Sequence, residues 1–157
     1  MRIGQGVDAH RLVEGRPLRL GGVAIPHERG LEGHSDGDVL LHALASALLG
    51  AIGMGDLGRH FPSADPSLEG VSSADLVSRV MVMVGERGFR VGNVDTAIVA
   101  QEPRLGPHLE KMRGSIADLL GVEVERVNVK VTSTDQLGAL GRGEGIAALA
   151  VALLERP

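Results

Sequence analysis

The chain has 157 residues, enough for one domain with a substantial hydrophobic core. Its formal net charge is −4 and its Lys and Arg residues are scattered, which argues against a protein that coats nucleic acid through clustered basic side chains. It contains no cysteine, so disulfides and thiolate metal sites are excluded, and any metal must be bound by His and carboxylate side chains.

The sequence offers neither a membrane-spanning segment nor an aromatic surface on which bases could stack. No apolar run of about 18 residues occurs, and residues 1–6 carry no signal-like pattern, so we expect a cytoplasmic protein without a membrane segment. Phe61 and Phe89 are the only Phe, Trp or Tyr residues, so backbone and aliphatic contacts would have to hold any nucleotide. No internal repeat or linker is present, and we expect residues 1–157 to form a single domain.

The N-terminal part of the chain predicts a strand followed by a hairpin. Residues 1–8 alternate weakly and predict a strand that delivers Asp8 and His10 in the loop at its exit. Residues 19–25 predict a small hairpin, because a Gly-Gly pair between apolar residues supplies the positive φ angles of a tight turn. Residues 27–29 are expected to form an exposed loop.

Residues 34–42 change abruptly from a polar, turn-forming run to an apolar run that carries one imidazole, His42. Residues 36–52 predict a helix, because apolar side chains recur at three- and four-residue spacing. Asp36 or Ser35 is the expected N-cap, since short oxygen-bearing side chains accept hydrogen bonds from the free N–H groups of a first turn. A helix start also offers N–H groups and a positive dipole end, which suit a phosphate.

The middle of the chain predicts a loop followed by a helix. Residues 61–66 contain two prolines and predict a loop with Asp65 at its tip. A capping-box-like spacing from Ser72 to Asp75 indicates a helix start, and this helix is expected to run to about Glu86.

Further strands and one more helix follow in the C-terminal half. Residues 89–101 are β-branched and partly alternating, which predicts a strand. Pro107 is expected to open a helix that ends near Leu120. Residues 127–134 alternate strictly and predict the clearest strand of the chain, and residues 138–145 predict a glycine-rich turn.

The last apolar run, residues 146–154, is ambiguous. Its alanine and leucine residues favour a helix, whereas an unbroken apolar run also fits a strand that is covered on both faces. The run is short for a helix, so we favour the strand, and covering both of its faces in so small a chain requires a partner subunit. The order of elements predicts an α+β fold, an α/β two-layer sandwich in which a mixed sheet has helices on one face.

Asp8, His10 and His42 together offer one carboxylate and two imidazoles. Three protein ligands with one open position are typical of catalytic rather than structural zinc. A plainer interpretation stays open, because Asp8 and His10 could cap a loop and a single His on a mostly apolar helix is commonly a hydrogen-bonded core residue.

Five motifs follow one another in order along the chain. They are Gly4-Gln5-Gly6-Val7-Asp8-Ala9-His10, His34-Ser35-Asp36-Gly37-Asp38 with His42, Gly55-Asp56-Leu57-Gly58, Phe61-Pro62, and Gly141-Arg142-Gly143-Glu144-Gly145. With these motifs the chain resembles the 2-C-methyl-D-erythritol 2,4-cyclodiphosphate synthase family over essentially its whole length. Each motif alone is weakly specific, but five in the same order argue strongly against coincidence.

The resemblance implies a homotrimer with four-stranded sheets around a central axis and with active sites between neighbouring subunits. It also implies a lyase of the non-mevalonate isoprenoid pathway that cyclises 4-diphosphocytidyl-2-C-methyl-D-erythritol 2-phosphate and expels CMP.

In this reaction an anionic 2-phosphate attacks an anionic β-phosphate. Like charges about 4 Å apart repel by roughly 4 kcal/mol at an effective dielectric of about 20, and a divalent metal offsets much of this cost.

The resemblance assigns roles to individual residues. Asp8, His10 and His42 resemble the zinc ligands, and His34 and Ser133 resemble the catalytic residues that stabilise transition-state charge. The residues that resemble substrate-binding positions are Asp8, His10, His34, Ser35, Asp56, Gly58, Phe61, Asp65, Ala100, Arg104, Leu105, Gly106, Thr132, Ser133, Thr134, Asp135 and Arg142. Asp135 would also bind magnesium or manganese at the diphosphate, since hard oxygen ligands suit these ions.

Four positions depart from the family pattern, at Asp135, Ser133, Ser46 and Ala139. Asp135 stands where Glu is usual and is one methylene shorter, and Ser133 stands where Thr is usual but keeps the hydroxyl. Ser46 replaces a frequent Asp one helical turn after His42, and Ala139 replaces a common Phe near the trimer axis. None of these changes removes a zinc ligand.

Two other functions compete with the cyclising lyase. One is a catalytically silent nucleotide-binding trimer that uses zinc only to hold its fold. The other is a metal-dependent phosphoesterase that uses water as the nucleophile at the same site.

Arg142 and Glu144 are expected to form a structural pair at a subunit interface.

Overall fold

The structure, a computed structural model, describes residues 1–157 and contains seven strands and five α-helices. The strands are β1 (Arg2–Glu14), β2 (Leu18–Leu20), β3 (Val23–Ile25), β4 (Arg29–Leu31), β5 (Arg90–Val99), β6 (Val127–Thr132) and β7 (Gly145–Glu155). The helices are α1 (Val39–Ala51), α2 (Leu57–His60), α3 (Ser73–Glu86), α4 (Leu109–Leu120) and α5 (Gly138–Gly141). None of these helices has the length and hydropathy that would let it cross a membrane.

Five strands form one mixed sheet in the order β4-β1-β7-β5-β6. β7 lies in the centre and pairs antiparallel with both β1 and β5, while β5 and β6 run parallel. Pairing on both sides explains why residues 146–154 are strand rather than helix, because each backbone N–H and C=O has a partner in the ladder. The sheet has five strands where four were expected, because the three-residue β4 pairs with the end of β1.

The helices cover one face of the sheet. Along β7 the residues on this face are fully buried, namely Ile146, Ala148, Ala150, Ala152 and Leu154. The opposite face carries apolar side chains that remain exposed, among them Ile3 at 71%, Val7 at 61% and Val151 at 43%. The fold is therefore the expected α+β arrangement, with one sheet face left bare.

Two glycines let α1 lie directly on β1. A Cβ added at Gly6 would lie 1.9 Å from the carbonyl oxygen of Ala43, and one added at Gly4 would lie 1.9 Å from that of Ala47. Both distances are far below van der Waals contact, so no side chain fits between this strand and this helix. The close approach brings the start of α1 against the second half of β1.

Two expectations about the segments that meet at this contact are wrong. β1 does not end near residue 8 but continues to Glu14, so Asp8 and His10 lie within a strand rather than in an exit loop. The ladder with β7 explains this, since it runs on to the pair Arg11 and Gly145. The N-cap of α1 is neither Asp36 nor Ser35 but the fully buried Asp38.

Most of the remaining elements follow the sequence patterns, but Arg29, which was expected in an exposed loop, begins β4 and is half-buried because it pairs with Glu14 of β1. The β2–β3 hairpin turns at Gly21 and Gly22, both with positive φ, and Ser72 caps α3 as expected. α4 begins at Leu109, after a 3₁₀ turn that contains Pro107. The glycine-rich residues 138–145 contain the short helix α5 where only a turn was expected.

Candidate active site

Asp8, His10 and His42 converge where the start of α1 faces β1. Asp8 and His10 are two residues apart on a strand and therefore point to the same face, the one that α1 covers. His42 lies in the first turn of α1, and its backbone N–H donates to the carbonyl oxygen of the N-cap Asp38 at 3.0 Å. The three ligand-type side chains thus come from two elements whose separation the glycines of β1 set.

The donor atoms of these residues form a small triangle. Asp8 Oδ2 lies 2.8 Å from His10 Nε2 and 3.1 Å from His42 Nδ1, and the two nitrogens are 3.2 Å apart. Tetrahedral zinc with bonds of about 2.05 Å would space its ligand atoms by roughly 3.3 Å, so the triangle needs to open by only a few tenths of an ångström. One carboxylate and two imidazoles also match the donor preference of zinc. The residues therefore fit a divalent metal.

The hydrogen bonds of the triangle shift two pKa values. Burial alone would raise the pKa of the Asp8 carboxyl, but the hydrogen bonds to His10 and His42 outweigh burial and hold this pKa well below its ordinary value. The hydrogen bond to Asp8 raises the pKa of the His10 imidazole, against the opposing effect of burial. The metal-free triangle thus resembles an ion pair between Asp8 and His10.

A carbonyl oxygen fixes the ring of His10. His10 Nδ1 is within hydrogen-bond distance of the Glu32 carbonyl oxygen, which can only accept, so Nδ1 keeps a proton and Nε2, which faces Asp8, is the nitrogen that can bind a metal once it loses its own. This contact with the backbone is common for metal-binding histidines.

The segment around His34 is held beside the triangle from two sides. Arg16 donates to the carbonyl oxygens of Gly33 and Ser35, at 2.7 Å in each case. The backbone N–H of Gly70 donates to the His34 carbonyl oxygen at 3.0 Å. His34 is therefore carried on a segment that both a guanidinium and the loop before α3 restrain.

A cavity of about 190 Å³ opens beside the triangle. His10, His34, Ser35, His42 and Phe61 contribute to its lining, so the structure brings these five sequence-predicted residues together. The rest of its wall is largely apolar and comes from α2, from the loop before α3 and from α3 itself.

The helix-start N–H groups near this cavity are less available to an anion than the sequence indicated. Asp38 Oδ1 accepts from the N–H of Leu41, Asp36 accepts from that of Asp38, and Ser35 Oγ accepts from that of Gly37. These donors are already bonded within the chain, so they add little to anion binding at this helix start.

Asp56 and Asp65 lie outside the cavity and act as caps. Asp56 Oδ1 accepts from the N–H of Arg59 at the start of α2, where Gly58 is also located. Asp65 Oδ1 accepts from the N–H of Ser67, and the Ser67 hydrogen bonds lower the pKa of this exposed carboxyl. The structure thus gives each of these carboxylates a structural contact within the chain.

Six more sequence-predicted residues gather elsewhere, at the carboxyl ends of β5 and β6. A second cavity of about 370 Å³ is located there, and its lining includes Ala100, Arg104, Leu105, Gly106, Thr132 and Ser133. The N–H of Ala100 donates to the carbonyl oxygen of Thr132 at 2.9 Å and joins the two segments. Within one chain this cavity shares no lining residue with the cavity at the triangle.

The loop that follows β6 has an unusual backbone. Asp135 and Gln136 both adopt positive φ, at 51° and 66°, although neither is glycine. Asp135 Oδ1 accepts from Ser133 Oγ at 3.2 Å, and Thr134 Oγ1 donates to the Leu137 carbonyl oxygen at 2.7 Å. Such backbone strain is often concentrated at functional loops.

Arg142 lies apart from both cavities described above. Its Nε donates to Glu144 Oε1 at 2.6 Å, which is the expected pairing of these two residues. Both side chains are largely exposed, so the pair adds little to the stability of the isolated chain.

Sequence reasoning missed several residues that shape the site. Arg16 and Ser73 gave no signal, because their contacts with the His34 segment and with His42 join parts of the chain that no motif spacing connects. Asp38 was not recognised as the N-cap of α1, since three short polar residues before this helix are equally suited to capping.

Comparisons with known proteins identify the family of the chain. The family model of the YgbB family matches residues 1–155. The 2-C-methyl-D-erythritol 2,4-cyclodiphosphate synthase of Geobacter metallireducens is 58% identical over 156 residues, which cover 99% of each chain.

Solved structures share the fold of the chain at lower sequence identity. The bifunctional IspDF from Campylobacter jejuni matches with a TM-score of 0.96 and 41% identity over 99% of this chain, which corresponds to 42% of the longer IspDF chain. A 2C-methyl-D-erythritol-2,4-cyclodiphosphate synthase in a CDP-bound form matches with a TM-score of 0.91 and 38% identity, over 98% of this chain and 100% of that one. The chain therefore belongs to the YgbB family, the 2-C-methyl-D-erythritol 2,4-cyclodiphosphate synthases that its motifs resemble.

Proposed function

We propose that the chain converts 4-diphosphocytidyl-2-C-methyl-D-erythritol 2-phosphate into 2-C-methyl-D-erythritol 2,4-cyclodiphosphate and CMP. It would act as a phosphorus–oxygen lyase of the non-mevalonate isoprenoid pathway. The observation that carries this proposal is the convergence of Asp8, His10 and His42 in a member of a family whose relatives bear the name of this synthase.

The reaction balances without a nucleophile from the protein. An oxygen of the 2-phosphate forms a bond to the β-phosphorus, the bond from that phosphorus to the bridging oxygen breaks, and CMP leaves with the electron pair. Because the nucleophile and the leaving group belong to one molecule, the protein needs to select a folded conformer, an effect worth up to roughly 7–11 kcal/mol. The chain has no cysteine, which agrees with a reaction that needs no thiolate.

We assign Asp8, His10 and His42 as ligands of one zinc ion per subunit. Bound there, the ion would accept a phosphate oxygen at its open position and offset the repulsion between the reacting anions. The chain's own contribution is to hold the three donor atoms within 3.2 Å of one another before the metal arrives.

His34 and Ser35 would bind the phosphate beside the zinc ligands. They share the cavity of about 190 Å³ with His10 and His42, and Arg16 holds the carbonyl groups on either side of His34. His34 is thereby positioned to stabilise charge as the bond to phosphorus forms. Phe61 closes the apolar side of this cavity, while Asp56, Gly58 and Asp65 would bind the methylerythritol part from the adjoining turns.

The second cavity would bind the cytidine diphosphate part of the substrate. Its glycine-containing segment 100–106 and the hydroxyls of Thr132 and Ser133 offer backbone and side-chain hydrogen bonds, which suit a base in a site without aromatic rings. Ser133 would donate to the diphosphate as charge develops, with Thr134 beside it. Asp135 would bind magnesium or manganese at the diphosphate, and a cation there would relieve the charge of the two phosphates.

A homotrimer would bring these two cavities together. They share no lining residue within one chain, so a substrate that uses both is best bound between one subunit and its neighbour. The bare face of the sheet, with Ile3, Val7 and Val151 exposed, supplies an apolar surface for such assembly. Arg142 would then contribute at the subunit interface.

The decisive experiment supplies the substrate together with zinc and magnesium and follows the products by phosphorus NMR. The proposal expects CMP and a cyclic diphosphate in equal amounts. A linear hydrolysed product would instead support a phosphoesterase, and a zinc-loaded protein that releases no CMP would support a silent nucleotide-binding trimer.

A further inference from the structure

Nε2 of His42, the ring nitrogen that points away from the donor triangle, also has hydrogen-bond partners. It lies 2.9 Å from Ser73 Oγ and 3.0 Å from Ser35 Oγ. Ser73 is the first residue of α3 and is fully buried. It has no part in the function proposed above, yet it touches a proposed metal ligand.

Ser73 is bonded in turn to Asp36. The Ser73 hydroxyl donates to Asp36 Oδ1, and the Ser73 backbone N–H donates to Asp36 Oδ2 at 3.1 Å. Asp36 Oδ1 also accepts from the backbone N–H of Asp38 at 3.1 Å. Donors at the starts of both α1 and α3 therefore hold this carboxylate in place.

These contacts favour one position for the ring proton of His42. A hydroxyl has one proton, and since a carboxylate accepts only, the Ser73 proton is directed to Asp36. Toward His42, Ser73 is left with lone pairs, so it favours a proton on Nε2 and a lone pair on Nδ1. Asp8 Oδ2, 3.1 Å from Nδ1, favours the opposite tautomer in the metal-free chain, and a metal bound to both Asp8 and Nδ1 would remove that competition.

We propose that Ser73 and Asp36 are positioning residues that hold His42 in the Nε2–H tautomer and so prepare Nδ1 to bind the metal. The inference rests on the metal site of the proposed function. It extends to His42 the arrangement already seen at His10, where the carbonyl oxygen of Glu32 fixes the opposite tautomer. Each imidazole is thus oriented by a group that can only accept from it.

Ser35 cannot replace this function. Its Oγ accepts from the N–H of Gly37 at 3.2 Å, but no carboxylate takes its own proton. Ser35 can therefore donate to His42 Nε2 as readily as it can accept, and it favours neither tautomer. Only the Ser73 hydroxyl is committed by a carboxylate.

The first test compares zinc affinity between variants, by competition with a chromophoric chelator. Ser73→Ala removes the acceptor, and loss of such an outer partner typically weakens metal binding by about 10–100-fold. Ser78→Ala is the matched control, because Ser78 is exposed on the same helix and donates only to the carbonyl oxygen of Ala74. We expect the control to bind zinc like the wild type. Wild-type affinity in Ser73→Ala would overturn the inference.

Asp36→Ala gives a second variant. Without the carboxylate the Ser73 hydroxyl loses its acceptor, and its proton becomes free to point at His42 Nε2. The competing tautomer is then favoured, so zinc affinity is expected to fall by about 10–100-fold here as well. An affinity within twofold of the wild type would contradict this mechanism.

Tautomers can also be observed directly in the metal-free wild type by long-range ¹H–¹⁵N NMR of its histidine rings. Asp8 and Ser73 favour opposite tautomers there, so we expect a larger Nε2–H fraction of His42 in the wild type than in Asp36→Ala. An equal fraction in the two proteins would refute the inference even if Ser73→Ala failed to fold. If the wild type bound no zinc at all, the metal-binding proposal would fail, while this spectrum would still decide the role of Ser73 and Asp36.

Discussion

The Nδ1 atom of His42 lies 3.2 Å from the Nε2 atom of His10, although 31 residues separate these histidines along the chain. Two imidazole nitrogens at this distance are disposed to share a cation. His42→Ala is therefore expected to reduce bound zinc to near zero, because two remaining ligands bind zinc poorly. Metal analysis of the purified protein checks this, with circular dichroism to confirm that the fold is kept.

A matched control exists in His60→Ala. His60 Nε2 bonds to the carbonyl oxygen of Met54, outside the triangle, so this variant should keep its zinc. Equal zinc content in His42→Ala and the wild type would remove His42 from the ligand set.

The pKa shifts of the triangle predict how its contribution to stability varies with pH. In the metal-free chain the pKa of His10 is raised above 6.5, so its contribution is fully present below pH 6.5 and is lost as the pH rises through the raised pKa. The pKa of Asp8 is lowered from 3.8, so its contribution is present above pH 3.8 and is lost as the pH falls toward the lowered pKa. Both contributions are therefore present between pH 3.8 and 6.5.

Stabilisation by zinc should increase with pH, opposite to the contribution of protonated His10, because zinc binds His10 only in the neutral form. Below the pKa of His10, zinc affinity should fall by about tenfold per pH unit. The increase in Tm that saturating zinc produces is thus expected to be larger at about pH 8 than at about pH 6. Thermal unfolding with and without zinc measures it, and an equal or larger increase at the lower pH would contradict imidazole ligation.

Gly6→Ala tests the close contact between β1 and α1, which sets the distance from Asp8 and His10 on the strand to His42 on the helix. The added Cβ would meet the Ala43 carbonyl oxygen at 1.9 Å, and this backbone atom can move only with α1. We expect a loss of about 3 kcal/mol in the free energy of unfolding, the upper end for overpacked cores, together with weaker zinc binding. Denaturant unfolding and zinc titration measure the two effects.

Gly114→Ala is the control for this substitution. Gly114 lies inside α4, and no atom lies within 4 Å of a Cβ built there, so alanine should stabilise the helix by about 0.5–1 kcal/mol. If Gly6→Ala behaved like this control, the contact between β1 and α1 would not limit the site.

Asp38→Ala removes a buried carboxylate that three backbone groups need. Asp38 accepts from the N–H groups of Gly21, Gly22 and Leu41 and joins the β2–β3 hairpin to α1. Burial raises the pKa of this carboxyl, against the effect of its three donors. Leaving these donors unbonded should cost at least about 3 kcal/mol of unfolding free energy.

The comparison for Asp38 is Ser72→Ala, which removes a single capping bond to the N–H of Asp75. That loss is worth about 1 kcal/mol. Chemical denaturation of both variants gives the difference, and equal losses would mean that the link between hairpin and helix contributes nothing beyond ordinary capping.

Asp135→Asn tests whether Asp135 binds a second metal ion that is distinct from the proposed zinc. Asparagine tolerates the positive φ of 51° at this position, so the substitution removes charge without forcing the backbone. CMP release should fall by about 100-fold, since charge on the diphosphate would be left uncompensated, while zinc content stays unchanged. Parallel loss of turnover and zinc would show that Asp135 does not serve a separate ion.

The sequence predicted the long elements well because their patterns are local. The alternation in residues 127–134 and the Gly-Gly pair of the hairpin each specify structure within a few residues. The extension of β1 to Glu14 was not predictable in this way, since it depends on pairing with β7, more than a hundred residues later. The three-residue β4 is too short to carry an alternation signal at all.

The candidate site shows the same difference between features that local patterns predict and features that depend on distant parts of the chain. Asp8, His10 and His42 stand in motifs that the sequence displays, and the structure brings their donor atoms together. The choice of Asp38 as N-cap over Asp36 and Ser35 depends on the N–H groups of the hairpin, which only the folded chain presents. Ser73 reaches His42 from another helix, so no local pattern could have identified it.

The ladder between β1 and β7 has one more consequence. Successive side chains of a strand point to opposite sides, so a slip of one residue between these strands would turn both Asp8 and His10 toward the bare face. A misaligned chain could look compact and still be unable to hold an ion. The molar ratio of bound metal to protein in a preparation would then measure the fraction of molecules that folded in the correct alignment.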